Sequence, residues 1–213
     1  MTHYAQAIPL PLGVAPDGAQ SLVGGPVRFC DVQLRSRDGA TTGVATDRLT
    51  RQPADICGLS MDRPRVMGIL NVTPDSFSDG GDLANVADAV ARAQAMARDA
   101  DILDIGGEST RPGAAEVDVR DEINRTAPVI RAIRDAGITT PISIDTRKSA
   151  VARAALDAGA DMVNDVTALR FDADMVGVVA DAGVPVCLMH SQGRPETMQN
   201  DPRYDNVTFD VMD

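Results

Sequence analysis

The chain has no Trp, and with 2 Tyr and 4 Phe its aromatic share is 3%. The core therefore has to be built from Ala, Val, Ile, Leu and Met. Residues of that size and branching suit helices laid on a parallel sheet. Positive charge is also short: 20 Lys and Arg against 31 Asp and Glu leave a formal net charge of −11. Such a chain repels a phosphate backbone, which argues against nucleic acid as a partner. An anionic small substrate would need locally placed Arg or backbone N–H groups. No run reaches the ~18 apolar residues of a membrane span, so no membrane partner is expected. The N-terminal AIPLPLGVAPDG is broken by prolines and lacks the cationic start of a secretory signal. Cys30, Cys57 and Cys187 are odd in number and show no CxxC spacing. They are expected as reduced thiols of a cytoplasmic protein, not as a disulfide frame or metal set. The 213 residues suffice for one sizeable core or two small ones.

Residues 1–63 read as an N-terminal extension, rich in Gly, Pro and Thr, without sustained helical periodicity. VRFCDVQLRS and TTGVATDRL flank Asp38-Gly39, a turn signal, so a hairpin near 26–46 is one reading and an irregular arm the other. From Arg65 onward, strand and helix patterns alternate. The strand candidates are Arg65–Leu70, Asp101–Ile105, Pro141–Ile144, Asp161–Asp165 and Val184–Met189. Between them lie helices over Asn85–Asp99, Val119–Ala136, Ser149–Ala158 and Ala173–Ala182. Asn85 and Ser149 are candidate N-caps, and Gly137 and Gly159 are stops. Five βα-type repeats mean a parallel sheet, either open and doubly wound or closed as a barrel.

The polar residues fall where those strands end. Asn71-Val72-Thr73-Pro74-Asp75 follows the first, Gly106-Gly107-Glu108-Ser109-Thr110-Arg111 the second, and Asp145-Thr146-Arg147-Lys148 the third. The fourth ends in Asn164-Asp165 and the fifth in Met189-His190-Ser191-Gln192. In parallel α/β folds ligands sit at these ends, because the crossover loops converge there around a rigid sheet. Any one of these residues has an ordinary alternative. Asn71 or Asn164 could bond neighbouring backbone, Asp145 could cap the next helix, Arg111 could be solvated, and His190 could sit at the core edge. The glycine pairs 80–81 and 106–107 could serve turns, or let backbone approach a ligand. Five strands placing polar groups at one end is the pattern that points to a site.

MGILNVTPDSFSDGG, DIGGESTRPGA, PISIDTRK, MVNDV and LMHSQGRPETMQ, in this order, resemble dihydropteroate synthase over about 64–204. The resemblance implies a TIM (β/α)8-type barrel, with 64–213 supplying its first five strands. It implies condensation of 6-hydroxymethyl-7,8-dihydropterin pyrophosphate with p-aminobenzoate, giving 7,8-dihydropteroate and pyrophosphate, with Mg2+ on the pyrophosphate. Carried over by motif, Asn71 corresponds to a metal and pyrophosphate contact. Thr110 and Arg111 correspond to second-loop residues near the pyrophosphate and p-aminobenzoate. Asp145 and Asn164 correspond to a deep pterin-binding pair, and Met189 to an apolar wall of the ring. Asp145 and Arg111 are then the catalytic candidates: the carboxylate faces positive charge on the pterin methylene, the guanidinium faces the leaving pyrophosphate.

Eight βα units of ~30 residues each, for a barrel of ~250 residues, would run past residue 213. The family's later motifs, an Asp-Pro-Gly-type loop, a Ser-Arg-Lys-type loop and a final Arg and His, have no counterpart in this sequence. The expectation is therefore an incomplete barrel, inactive alone, without the late helices of the family homodimer. Two other functions share the motifs. One is a non-catalytic pterin-binding remnant or subunit. The other is a pterin-binding methyltransferase domain, against which the long first and second loops argue, since methyl transfer has no pyrophosphate to hold.

Overall fold

The structure, a computed structural model, describes residues 4–11, 13–22, 27–37, 39, 54–73, 82–109, 116–193, 198 and 201–212. The chain divides into two compact units, Met1–Pro64 with Arg203–Asp213, and Arg65–Pro202.

The first unit holds three strands, β1 (Tyr4–Pro9), β2 (Gln20–Ser21) and β3 (Arg28–Arg35), antiparallel in the order β1-β3-β2. Phe29, paired with both Pro9 and Gln20, is fully buried. The hairpin expected near 26–46 takes another form. Its first half is β3, but the described partners of β3 are the two strands that precede it, while TTGVATDRL lies outside the described residues. Of the Asp38-Gly39 signal only Gly39 is among the described residues: its N–H donates to the Ser36 carbonyl over 3.0 Å, with φ 73°. That left-handed value is open to glycine without strain.

The second unit is a parallel sheet of β4 (Met67–Asn71), β5 (Ile102–Gly106), β6 (Ile142–Asp145), β7 (Met162–Asp165) and β8 (Val186–Leu188), in sequential order. Helices α1 (Asp82–Met96), α2 (Val119–Asp135), α3 (Ser149–Ala158) and α4 (Met175–Ala182) alternate with the strands and pack each on the next. A doubly wound sheet reverses its strand order at a switch point. This sheet does not reverse, so its order is that of a barrel wall, five strands of a (β/α)8-type fold.

Register and the two-residue period of a strand divide this wall into two faces. Leu70, Ile105, Ile144, Val163 and Val186 are paired in one row across the sheet. The first four are buried in one cluster with Ala89 and Ala93 of α1, Val129, Ile130 and Ile133 of α2, Val151 and Ala155 of α3, and Met175 and Val178 of α4. The helices therefore cover that face. The alternate rows point the other way. One runs Ile69, Asp104, Ser143, Met162, and the next runs Asn71, Gly106, Asp145, Asn164, Cys187.

Local signals explain the boundaries. Asp118 Oδ1 accepts from Arg120 N–H over 2.8 Å and caps α2, while Gly137 at φ 76° lets the chain leave it. Two expected caps act differently. Helix α1 starts at Asp82, so Asn85 lies inside its first turn. Ser149 is the first residue of α3, and its N–H is accepted by Asp172 Oδ2 over 2.8 Å, from the loop after β7. A carboxylate arriving from elsewhere in the fold does the work that a side chain at the cap position would otherwise do. Arg203–Asp213 groups with the first unit, where helix α5 (Val207–Met212) brings Asp210 to 2.8 Å from Arg37, which also lies over the Phe209 ring.

Candidate active site

Three of the residues singled out in the sequence stand side by side. Asn71 is paired with Gly106, Gly106 with Asp145, and Asp145 with Asn164. These are the last residues of β4, β5 and β6 and the third of the four in β7. Equal register puts their side chains on one face, the face without helices. Gly106 is the gap in the row. A Cβ there would lie 3.5 Å from Asp145 Oδ2 and 3.6 Å from Asn71 Oδ1, so both polar side chains lean over the glycine. Gly106 has no positive φ and a methyl there would meet only ordinary contacts, so neither conformation nor packing requires glycine; it leaves the mouth open between the two polar side chains.

Asp145 is the least satisfied group of the row. Its Oδ1 is buried and has no hydrogen-bond partner among the described residues. Burial pushes its pKa up, and the neighbouring charges of Asp104, Glu122, Asp165 and Glu108 push further, to about 7 from an ordinary 3.8. A buried carboxylate with an idle oxygen is costly unless something arrives to bond it.

Asp104, one step deeper on the same face, was not anticipated as part of the site. It is buried, and Asn164 Nδ2 donates to its Oδ2 over 3.3 Å. Burial raises its pKa, against the lowering effects of the Ser143 hydroxyl and of that amide. A signal was present in the sequence: a carboxylate inside the strand run DILDI, two residues before Gly106, must share the inner face. Asp165, next to Asn164, points the opposite way and is spent on structure. It accepts from Thr167 N–H and Oγ1 over 2.7 Å each and from Leu169 N–H over 2.9 Å.

Met189 follows β8, half-buried, its N–H donating to the Asp165 carbonyl over 3.1 Å. His190 is exposed rather than at a core edge. Thr110 and Arg111 lie outside the described residues, as do Pro74–Gly81 of the first loop. The glycines 106 and 107, ambiguous in sequence, have separate reasons. A Cβ on Gly107 would meet Thr126 Cγ2 at 2.8 Å and Glu122 Cγ at 3.1 Å, so this glycine lets α2 approach the strand end.

Behind the row lies a second polar group the sequence reading did not isolate. Lys148 is the single lysine of the chain. Its Nζ donates to Glu108 Oε1 at 3.0 Å, Glu122 Oε2 at 2.7 Å and the Val117 carbonyl at 2.6 Å. Arg147 Nε donates to Glu108 Oε2 over 3.1 Å, and its guanidinium lies 4.2 Å from the Phe171 ring centroid. Burial alone would raise the Glu108 pKa, but Arg147, the Val117 N–H and Lys148 together hold it below the ordinary value.

Among the described residues no group of three or more His, Cys, Asp or Glu is arranged to enclose a metal ion. Mg2+ does not require one: it keeps waters and takes one or two protein oxygens plus substrate phosphates. The Asn71 amide oxygen, at the rim beside Gly106, is a donor of that kind.

A family model described as pterin binding enzyme matches residues 67–213. The chain is 54% identical over 153 residues to a probable bifunctional folylpolyglutamate synthase/dihydropteroate synthase of Haloferax volcanii, covering 71% of this chain and 18% of that protein. It is 49% identical over 154 residues to the dihydropteroate synthase of Escherichia coli K12, covering 72% and 54%. The solved structure of Xanthomonas albilineans dihydropteroate synthase with 4-aminobenzoic acid superposes with a TM-score of 0.64 at 52% identity, over 73% of this chain and 55% of that one. The chain thus spans about half the length of the single-function synthase it matches, and a smaller share of the bifunctional protein.

Proposed function

The chain belongs to the pterin-binding enzyme family, and from that premise we propose that its strand-end row is the ring-binding wall of a dihydropteroate synthase site. The observation that carries this reading is the unpartnered Asp145 Oδ1, set in register between Asn71 and Asn164 and backed by Asp104. A pterin presents adjacent N–H donors and acceptors on one flat edge. Carboxylates and an amide on neighbouring strands match such an edge, and a ligand lacking those groups would leave them buried and unpaired.

In the proposed reaction the amine nitrogen of p-aminobenzoate attacks the pterin methylene. The methylene C–O bond breaks, pyrophosphate leaves with that electron pair, and the amine proton passes to solvent. No protein nucleophile is needed. Ring N–H donors bound at Asp145 favour its carboxylate over its acid form, and that charge then faces the positive charge developing on the methylene. Asn71 would hold Mg2+, which supplies positive charge to the pyrophosphate. Thr110 and Arg111 are assigned to the pyrophosphate and p-aminobenzoate, with the Arg fork suited to either anion. Met189 is assigned to the apolar face of the ring. A pyrophosphate-holding site of this kind favours the synthase over methyl transfer. We assign the protein to the cytoplasm on its three cysteines, odd in number and without CxxC spacing; among the described residues no helix is long and apolar enough to cross a membrane.

Titration calorimetry of the chain with 6-hydroxymethyl-7,8-dihydropterin pyrophosphate and Mg2+ tests the reading. Binding is expected, weakened roughly 10–100-fold in Asp145→Ala, as for loss of a charge-assisted bond pair. Absence of binding, or binding indifferent to Asp145→Ala, overturns it. Binding with no turnover of p-aminobenzoate would mark the chain as a ring-binding module.

A further inference from the structure

We propose that Lys148, with Glu108 and Glu122, is a positioning device for the loop that carries Thr110 and Arg111. The proposal rests on the synthase reading only for what that loop contacts. Glu108 stands at one end of the loop and Val117 at the other, and the Val117 N–H donates to Glu108 Oε1 over 2.8 Å. Lys148 Nζ bonds that same oxygen and the Val117 carbonyl, so both ends of the loop are tied to one ammonium. Its third bond runs to Glu122 in the first turn of α2, whose other oxygen accepts from Thr146 Oγ1 over 2.7 Å. Thr146 and Lys148 belong to the loop that begins at Asp145. The clamp therefore fixes where the second loop starts and ends relative to the carboxylate of the ring-binding row.

Stability alone does not account for this arrangement. Glu108, Glu122, Arg147 and Lys148 are all buried, with Glu122 at 0% and Lys148 at 3% exposure. Burying ions is expensive in desolvation, and apolar residues of similar volume commonly do as well or better. What an ion cluster provides and an oily patch does not is directed geometry: each bond exists in one arrangement only. Arg147 is held from the far side by Phe171, and Asp172 in the same segment holds the start of α3, so the clamp stands against a fixed wall. A group aimed at a transition state loses much of its effect when its support shifts by about 1 Å.

The test compares two ligands on the full chain: 6-hydroxymethyl-7,8-dihydropterin pyrophosphate with Mg2+, and the same pterin as the free alcohol. The ring-binding row sees both, and the second loop is assigned to the pyrophosphate. In Lys148→Met, affinity for the pyrophosphate ester is expected to fall roughly tenfold or more while affinity for the alcohol changes less than about twofold. Glu108→Gln keeps the side-chain shape and half of the clamp, and serves where Lys148→Met does not fold. It should shift the ratio of affinities the same way by a smaller factor. Amide exchange of residues 116–118 should speed up in the same variants, with that of α3 unchanged. A folded variant that loses both ligands equally, or neither, overturns the positioning role. If the unaltered chain binds neither ligand, the synthase reading falls, and the exchange experiment still decides the clamp: unchanged exchange at 116–118 would overturn it.

Discussion

Two pairs of largely buried carboxylates meet opposite fates, Asp104 and Asp145 on strands β5 and β6, and Glu108 and Glu122 in the loop after β5 and on α2. Asp104 and Asp145 face the helix-free side, where the side chains beside Asp104 on β6 and β7, Ser143 and Asn164, are neutral. Both have raised pKa values, first through burial. Glu108 and Glu122 face Lys148 and Arg147, and the cations hold Glu108 ionised against its burial. The same residue chemistry in the same kind of burial is finished in one place and unfinished in the other. The finished pair is architecture. The unfinished pair is a binding surface, because only an external donor can complete it.

The contrast can be broken from either side. The largest effect is expected on the finished side. Lys148→Met leaves Glu108 and Glu122 buried without their shared ammonium, and urea unfolding should show a loss of about 3–5 kcal/mol. On the unfinished side the sign reverses. The folded pKa of Asp145 is raised, so the folded chain holds that proton more tightly than the unfolded one. Stability should therefore fall as pH rises from about 4 through about 7, by up to ~4 kcal/mol at ~1.4 kcal/mol per unit. Asp145→Asn should abolish that decline: little change at pH 4, a more stable protein above pH 7, and a weaker pterin site. Denaturant midpoints across pH for both proteins check this, and parallel pH profiles would sink it. Glu108 works in the other direction, its contribution being lost as pH falls through its ordinary 4.5 and below.

The two adjacent glycines sharpen the comparison with smaller effects. Gly107→Ala drives a methyl to 2.8 Å from Thr126 on the α2 side and should destabilise by about 1–3 kcal/mol. Gly106→Ala meets only ordinary contacts at the mouth and should move stability by under ~0.5 kcal/mol while reducing pterin affinity. Thermal melts with paired titrations would show whether packing and binding separate between neighbouring residues.

The barrel wall was legible because its signals are local and redundant. Four helices and five strands are present where periodicity set them, with ends displaced by up to three residues. The row Asn71, Asp145, Asn164 was legible because strand ends are where such folds bind. The antiparallel sheet was not, since β1 ends in Pro9 and shows no alternation, and its pairing with β3 spans a long stretch of chain. Long-range pairing leaves no local mark. The cap at Ser149 and the clamp at Lys148 were hidden for the same reason: Asp172 lies 23 residues from the backbone it caps, and Glu108 lies 40 from Lys148. Asp104 was different. Alternation alone put it on the inner face, and it was missed because it sits inside a strand rather than at its end.

The solitary lysine has a use beyond the fold. With every other side-chain cation an arginine, and Lys148 only 3% exposed, lysine acylation of this chain reports a single event. The rate at which a small amine-directed reagent marks residue 148, read by peptide mass mapping, measures how often the clamp opens. A ligand that closes the mouth would register as a slower clock at one atom.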